Sequence, residues 1–476
     1  MIAALRREPG FYRRLWVLSL PIILQNLITT SLGFADTFMV GLLGNAEMAA
    51  VTAANVPIFI IQVVIFGFQS GMAVLVSQYW GRGDTENINR CMGVALAAVT
   101  VVSVSIALVT WRFPVQVLEL VTPNQALIEL GAPYLQIVGF SYIFNGLSSI
   151  YAGVQRSTER PVFGTVLFAI SMCVNTVLNY ILIFGKFGAP AMGVTGAAVA
   201  TFTSRVVEFA VAAGYALWDR RMPLRWGCIL RPGRAIFRDF IRYSTPVVCN
   251  ETLWSLGTSM LTVIMGHMSN SQDMLAAYAL VGNIDKLSTV VCFGIAASAA
   301  VIVGKEIGMG RSKDHVYQVS WTLLLVSMLI GGVVMVGLLI LLPTFFQPVL
   351  FPLFQLTEGA AYAATCLALI YAIAMPLRAF DITNITGVLR AGGDAKVASL
   401  IDAGPLWLAA IPAMALTGLV LEAPVWVVCL SMQVENLCKC PLGLIRFHSR
   451  RWINDITRTG HEAVSYTHLR AHETRR

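Results

Sequence analysis

Charge is what this sequence has least of. Asp, Glu, Lys and Arg together supply 12% of its 476 residues, while hydrophobic types supply 57%. Soluble domains carry about 25% charged residues, so this chain lacks the charge to wet a globular surface. An ordinary soluble enzyme, a disordered chain and a coiled coil are excluded. Catalytic and metal-binding groups are equally sparse. Of six His, four (His448, His461, His468 and His472) follow the last apolar run, and His267 and His315 lie in connectors. The nine Cys are odd in number and mostly sit in apolar runs, where a free Cys acts as a small hydrophobe. The tightest spacing, Cys438-Lys439-Cys440, is not one that zinc uses, so no metal site is expected. Gly185-Lys186 and Gly304-Lys305 are followed by Phe187 and Glu306, and neither completes a phosphate-cradling loop; no nucleotide is expected. The Arg-rich start has no apolar stretch ending in a small-residue cleavage site, so it reads as a basic flank rather than a signal peptide.

Long apolar runs are what the chain does have. A helix crossing a bilayer needs about 20 mainly apolar residues. Twelve runs qualify: 15–43, 53–79, 91–111, 134–154, 162–184, 192–218, 240–266, 275–303, 319–342, 362–389, 397–421 and 425–447. They consume over half the chain and leave no room for a soluble catalytic domain. The expected fold class is an all-α integral membrane protein with twelve transmembrane helices. Basic residues fall on one side. They are Arg6, Arg7, Arg13 and Arg14 at the start; Arg220, Arg221, Arg225, Arg231, Arg234 and Arg238 after the sixth run; and, in other connectors, Arg82, Arg90, Arg156, Arg160, Lys305, Arg311, Lys313, Arg390 and Lys396. The opposite connectors offer Arg112 and Lys186. This places both termini in the cytoplasm of a cell-membrane protein, and it accounts for the net charge of +8 without nucleic acid.

The two halves repeat. Pro21 and Pro246, like Gly41 and Gly266, are 225 residues apart; 74–83 lines up with 301–310 at 227; Gly153-Val154-Gln155-Arg156 matches Gly387-Val388-Leu389-Arg390 at 234. Three matches in order at a slowly drifting offset predict two six-helix lobes, parallel repeats about an axis along the membrane normal. The expected division is 1–217, a cytoplasmic Arg-rich linker 218–239, 240–457, and a tail 458–476. The polar stretch 464–476 reads as cloning or assembly read-through, with a genuine cytoplasmic tail as the alternative. Two bundles flanking a cleft are the design of an alternating-access transporter.

Polar groups inside spans are costly and mark function by default. Gln25, Thr29 and Asp36 share one face of the first span, with Asp36 as a cation or proton site. Glu251, Trp254, Ser255 and Thr258 form a matching stripe on the seventh. Its carboxylate suits reversible protonation or, with neighbouring oxygens, Na⁺, and Trp254 suits a lipophilic cation. Gln25, Thr29, Trp254 and Ser255 are taken as substrate contacts. Asn175 and Asn179, one turn apart on the fifth span, either lend oxygens to a cation or bond neighbouring helices. Arg205 and Glu208 are expected to pair. Asp285, Lys286, Arg378, Asp381, Asp402, Glu435 and Lys439 are read as internal pairs or residues near the interface, Asp381 being also a coupling candidate.

Four stretches together resemble the multidrug and toxic compound extrusion (MATE) family: Asp36-Thr37-Phe38-Met39-Val40-Gly41; Gln78-Tyr79-Trp80-Gly81-Arg82-Gly83-Asp84; 175–188 leading into 193–201; and Leu389-Arg390-Ala391-Gly392-Gly393-Asp394. The resemblance runs from Pro21 to about Ile456. It implies a secondary active antiporter exporting drugs and organic cations in exchange for H⁺ or Na⁺, without a cofactor, acting in the lipid bilayer and expected as a monomer. It also implies a cation site in the first lobe. Asp36 matches the family's acid on span one, and Asn175 and Asn179 match its pair on span five, where the family often has Asp at the second position. Thr201 is added on span six. Glu251 matches the span-seven acid of the branch with a second-lobe site, and Asp381 falls about two residues from that branch's partner acid. A flippase for lipid-linked oligosaccharides, of the same superfold, would need a cationic cavity for pyrophosphate, whereas the intramembrane anchors read as acidic. A membrane enzyme would need a convergent His/Asp or metal cluster. A receptor or channel fits neither the duplicated halves nor the lack of pore-loop signals.

Overall fold

The computed structural model describes residues 8–457; the stretch 464–476 lies outside the described residues. The protein is all-helical, with twelve transmembrane helices in two lobes. The first lobe holds α1 (Pro9–Gly41), α2 (Asn45–Arg82), α3 (Thr85–Arg112), α4 (Gln125–Ser157), α5 (Pro161–Phe184) and α6 (Gly193–Trp218). The second holds α7 (Arg234–Gly266), α8 (Ser271–Gly308), α9 (Lys313–Leu353), α10 (Glu358–Leu389), α11 (Ala395–Val420) and α12, broken into Val425–Ser431 and Val434–His448. Ten of these are long and apolar enough to cross a membrane. The other two, α7 and α12, are diluted by charge: α7 carries Arg234, Arg238, Asp239, Arg242 and Glu251, and α12 carries Glu435 and Lys439.

Local sequence sets the ends. Pro161 opens α5 at a position where its missing N–H is not needed. Asp84, Asn124, Ser312 and Thr357 cap α3, α4, α9 and α10 through their side chains. Gly83 closes α2 with a left-handed φ of 71°, which only glycine adopts without strain. The predicted linker differs from the observed one: α7 begins at Arg234, inside the stretch 218–239. Exposed Arg234, Arg238 and Arg242 carry the helix out past the apolar zone, which hides its start from hydropathy. The rest of the linker docks on α3, where Asn89 donates to the Pro223 carbonyl at 3.2 Å and accepts from the Arg225 amide at 3.2 Å.

Packing obeys the repeat. In the first lobe α1 lies on α5 and α2 on α4; in the second α7 lies on α11 and α8 on α10. Thr165 donates to the Pro21 carbonyl at 2.7 Å, and Ser399 donates to the Pro246 carbonyl at 3.0 Å. These twin bonds fix offsets of 225 between α1 and α7 and 234 between α5 and α11. Between lobes the contacts are exchanged: Gly67 of α2 meets Val248 of α7, and Gly294 of α8 meets Ile23 of α1. Apolar residues such as Val101, Val333 and Leu408 point outward, as lipid-facing positions do.

The lobes close on each other at the Arg-rich face. Gly81, Gly304 and Gly308 let α2 and α8 meet with no room for a Cβ: Gly81 lies on the Lys305 backbone, Gly304 on Ser77 and Gly308 on the Gln78 carbonyl. Polar bonds lock this seam. Gln78 donates to the Ala391 carbonyl at 2.9 Å and accepts from the Ile456 amide at 3.0 Å, and Arg82 pairs with Asp455 at 2.5 Å. Glu159 is the hub: it accepts from Trp80 at 3.2 Å and Lys305 at 2.6 Å and pairs with Arg14 at 2.7 Å. It holds a φ of 63°, a strained conformation for a residue with a side chain. Burial would raise its carboxyl, but the Lys305 and Trp80 hydrogen bonds and the Arg14 and Lys305 charges outweigh that and hold it below the ordinary range.

Candidate functional site

Three polar assemblies lie among the apolar helices. The first is a chain of hydrogen bonds inside the first lobe. Asn179 donates to Asp36 at 2.5 Å and to Asn175 at 2.9 Å, and Asn175 donates to Thr201 at 3.3 Å. Helices α1, α5 and α6 thus bring Asp36, Asn175, Asn179 and Thr201 together. Asn175 and Asn179 are almost fully buried, and the Asn179 side-chain oxygen has no hydrogen-bond partner. A carboxylate beside a free amide oxygen is a donor set that suits a hard cation. Beside this cluster Arg205 pairs with Glu208 at 2.6 Å, as their spacing predicts.

The second assembly is an ionic network in the second lobe. Arg390 pairs with Glu251 at 2.9 Å and Asp402 at 3.3 Å; Lys439 pairs with Asp402 at 2.8 Å and with Glu435. Asn250 donates to Asp402 at 2.8 Å. Arg378 pairs separately with Asp285. Asp381 stands apart, with both carboxylate oxygens buried and without a hydrogen-bond partner. The sequence places Arg390 in a solvent-facing connector; it is instead 1% exposed, immediately after α10. Its charge is retained inside because two carboxylates neutralise it. Removing one partner of a buried pair costs about 3–5 kcal/mol. Arg390→Gln should therefore lower the unfolding temperature of the detergent-solubilised protein markedly; an unchanged midpoint would show that these pairs do not hold the lobe.

The third is a cavity of about 350 Å³ between the lobes, just above the sealed seam. Asn26, Thr29 and Thr30 of α1, Phe66, Ser70 and Ser77 of α2, Val290, Phe293 and Ala297 of α8, and Thr386 of α10 line it, together with Glu251, Arg156, Ser157 and Arg390. Its charged lining is two Arg and one Glu. Arg156, too, is not a connector residue: it sits in the last turn of α4 and faces the cavity. The acidic character expected of the intramembrane anchors therefore does not extend to this space. Of the four residues read as substrate contacts, Thr29 lines the cavity. Gln25 is buried against Gly164 of α5, Trp254 is exposed, and Ser255 lies outside the lining. Sequence reasoning missed Arg156, Arg390 and the hub Glu159. The signal for the two Arg was the repeat itself, which aligns them.

The model of the family described as MatE matches residues 21–181 and 246–413. The chain is similar to "Probable multidrug resistance protein NorM" of Thermotoga maritima, 25% identical over 457 residues that cover 93% of this chain and 94% of that protein. It is also similar to "Uncharacterized transporter YisQ" of Bacillus subtilis, 24% identical and covering 94% and 97%. Among solved structures, the eukaryotic MATE transporter AtDTX14 superposes with a TM-score of 0.80 at 17% identity, covering 94% of this chain and 98% of that one. A MOP superfamily transporter from Pyrococcus furiosus, described by the reverse polarity of its binding pocket, superposes with 0.82 at 17% identity, covering 94% and 97%. The structural likenesses fix the fold.

Proposed function

The chain belongs to the MatE family, and on that footing we propose that it is a secondary active multidrug exporter. It carries small organic compounds, cations among them, in exchange for H⁺ or Na⁺, by alternating access between the two lobes in the cell membrane. The observation that carries this reading is the Asp36–Asn179–Asn175–Thr201 chain, a carboxylate-centred polar site inside an apolar lobe. The Arg-rich face is taken as cytoplasmic, so the cavity, sealed there, faces outward.

Coupling follows from the role of α1. One helix carries Asp36 toward one end and Asn26, Thr29 and Thr30 into the cavity, with Pro21 inside it; a proline frees backbone hydrogen bonding and allows bending. Loading Asp36 with H⁺ or Na⁺ alters its bond to Asn179 on α5, and α1 transmits the change to the cavity wall. In this reading the first-lobe ion site and the substrate space are separate, and α1 couples them. Asp381 is the second-lobe candidate for the coupling ion, because both of its buried carboxylate oxygens lack a hydrogen-bond partner and are free to take one. Cavity size favours this reading over the flippase: about 350 Å³ suits a drug-sized compound, not a lipid-linked oligosaccharide. Ethidium efflux from cells lacking their own pumps tests it, with proton and sodium gradients imposed separately. The gradient that accelerates efflux identifies the ion; acceleration by neither would sink the proposal.

A further inference from the structure

Arg156 stands in the cavity without a counter-charge. Among the described residues no ion pair or hydrogen bond involves its guanidinium, although the side chain lines the space between the lobes. Its repeat counterpart shows what is missing. Gly153 of α4 packs on Gln69 and Met72 of α2, and Gly387 of α10 packs on Ala296 and Ala299 of α8, which fixes an offset of 234 between α4 and α10; Arg156 therefore corresponds to Arg390, which is held by Glu251 and Asp402. At the offset of 225 fixed by Pro21 and Pro246, Glu251 corresponds to Asn26; at 234, Asp402 corresponds to Phe168. The first lobe has the cation and neither of the carboxylates. Asn26 and Arg156 line the same cavity, so the position that holds a counter-ion in the second lobe opens into it in the first.

We propose that Arg156 receives the anionic head of the transported compound. The class this adds to the exported cations, and the one the cavity holds more tightly, is an amphiphile with one carboxylate, sulfonate or phosphate on an apolar body. Ser157 supports the assignment: the residue lines the cavity beside Arg156, and its buried hydroxyl has no hydrogen-bond partner to hold it away from a guest. Phe66 and Phe293 offer apolar surface for the body. Glu251, the one carboxylate in the lining, is already engaged by Arg390, so the cavity as a whole favours a negative guest. A charge-assisted bond in a poorly hydrated site is among the stronger single contacts available to a ligand. The phosphate of a lipid headgroup and a free amphipathic acid share this chemistry.

The inference rests on the export reading and deepens it, and its test separates the two. Purified full-length protein in an uncharged detergent is titrated calorimetrically with naphthalenesulfonate, naphthylmethyl trimethylammonium and naphthylmethanol. The sulfonate should bind about tenfold more tightly than the cation. Arg156→Gln should remove that preference and leave naphthylmethanol unaffected, while Arg156→Lys should keep much of it. Asn26→Glu recreates the second-lobe pair and should weaken the sulfonate by about tenfold; it decides the matter if Arg156→Gln fails to fold. Equal sulfonate binding by wild type and Asn26→Glu, with the alcohol unchanged, would overturn the proposal. Displacement of the sulfonate by short-chain phosphatidic acid, lost in Asn26→Glu, identifies a lipid phosphate as occupant. Absence of displacement in a protein that shows the preference identifies a free amphipathic anion. A protein that exports ethidium but shows no sulfonate preference overturns this inference alone. One that binds the sulfonate through Arg156 but drives no export leaves it standing and removes the export reading.

Discussion

Asp36→Asn is expected to cut gradient-driven ethidium efflux by about tenfold or more, with the protein still folded and inserted. The side chain keeps its size and can still bond Asn179, so α1 and α5 stay packed. What is lost is the one ionisable group of the first-lobe chain, and with it the differential affinity through which an ion gradient biases the two states. Coupling free energies of this kind are typically about 1–3 kcal/mol, or roughly 5–150-fold. The informative measurement is efflux with and without the gradient, because an uncoupled protein should lose only the gradient-dependent part. Glu251→Gln and Asp381→Asn form the second-lobe arm. Glu251 is bound to Arg390, so its replacement should cost stability as well as rate, whereas Asp381 has no hydrogen-bond partner to lose. Wild-type rates from both Asp36→Asn and Glu251→Gln would refute the assignment of coupling to these acids.

Gly308→Val is expected to abolish efflux by a different route. A Cβ at this position meets the Gln78 backbone, and no side-chain rotation can relieve the clash. Overpacking a close contact costs about 1–3 kcal/mol, which shifts the balance between sealed and open seams roughly 5–150-fold. The variant should populate a form open at the Arg-rich face, read as faster hydrogen exchange in the last turns of α8. Gly282→Ala on the same helix meets open space and should change neither exchange nor efflux. Normal efflux by Gly308→Val would mean that the seam is not part of the transport cycle.

Much of this architecture could be read from the chain. The twelve spans followed from apolar length, and the repeat followed from three aligned stretches, because both are written in residue order. Other features depend on where helices stop. Arg156 and Arg390 look like the basic flanks that commonly end transmembrane helices; only the fold shows that their ends turn inward to a cavity rather than outward to water. The partner of Glu251 was equally hidden, since Arg390 is 139 residues away and reached across three packed helices. Glu159 carries no motif, and its role appears only when Arg14, Trp80 and Lys305 arrive from three elements. Asp36, Asn175 and Asn179, by contrast, stood out singly because polar residues are so few inside these spans, and the family resemblance implied that they belong together; Asn179 bonds both of the others.

The exchanged contacts between the halves decide what each half can do alone. Gly67 lies on Val248, and Gly294 on Ile23, so the second helix of each half is seated on the first helix of the other. A half standing alone would leave both surfaces bare. Two copies of one half would cover them through the same contacts turned about the axis. The molecule is thus built like a two-fold pair within one polypeptide, with residues 219–233 as the tether. Because both halves lie on one chain, their corresponding positions need not be identical. One carries Glu251 and Asp402 around its arginine while the other carries Asn26 and Phe168, an asymmetry that a dimer of identical chains cannot have.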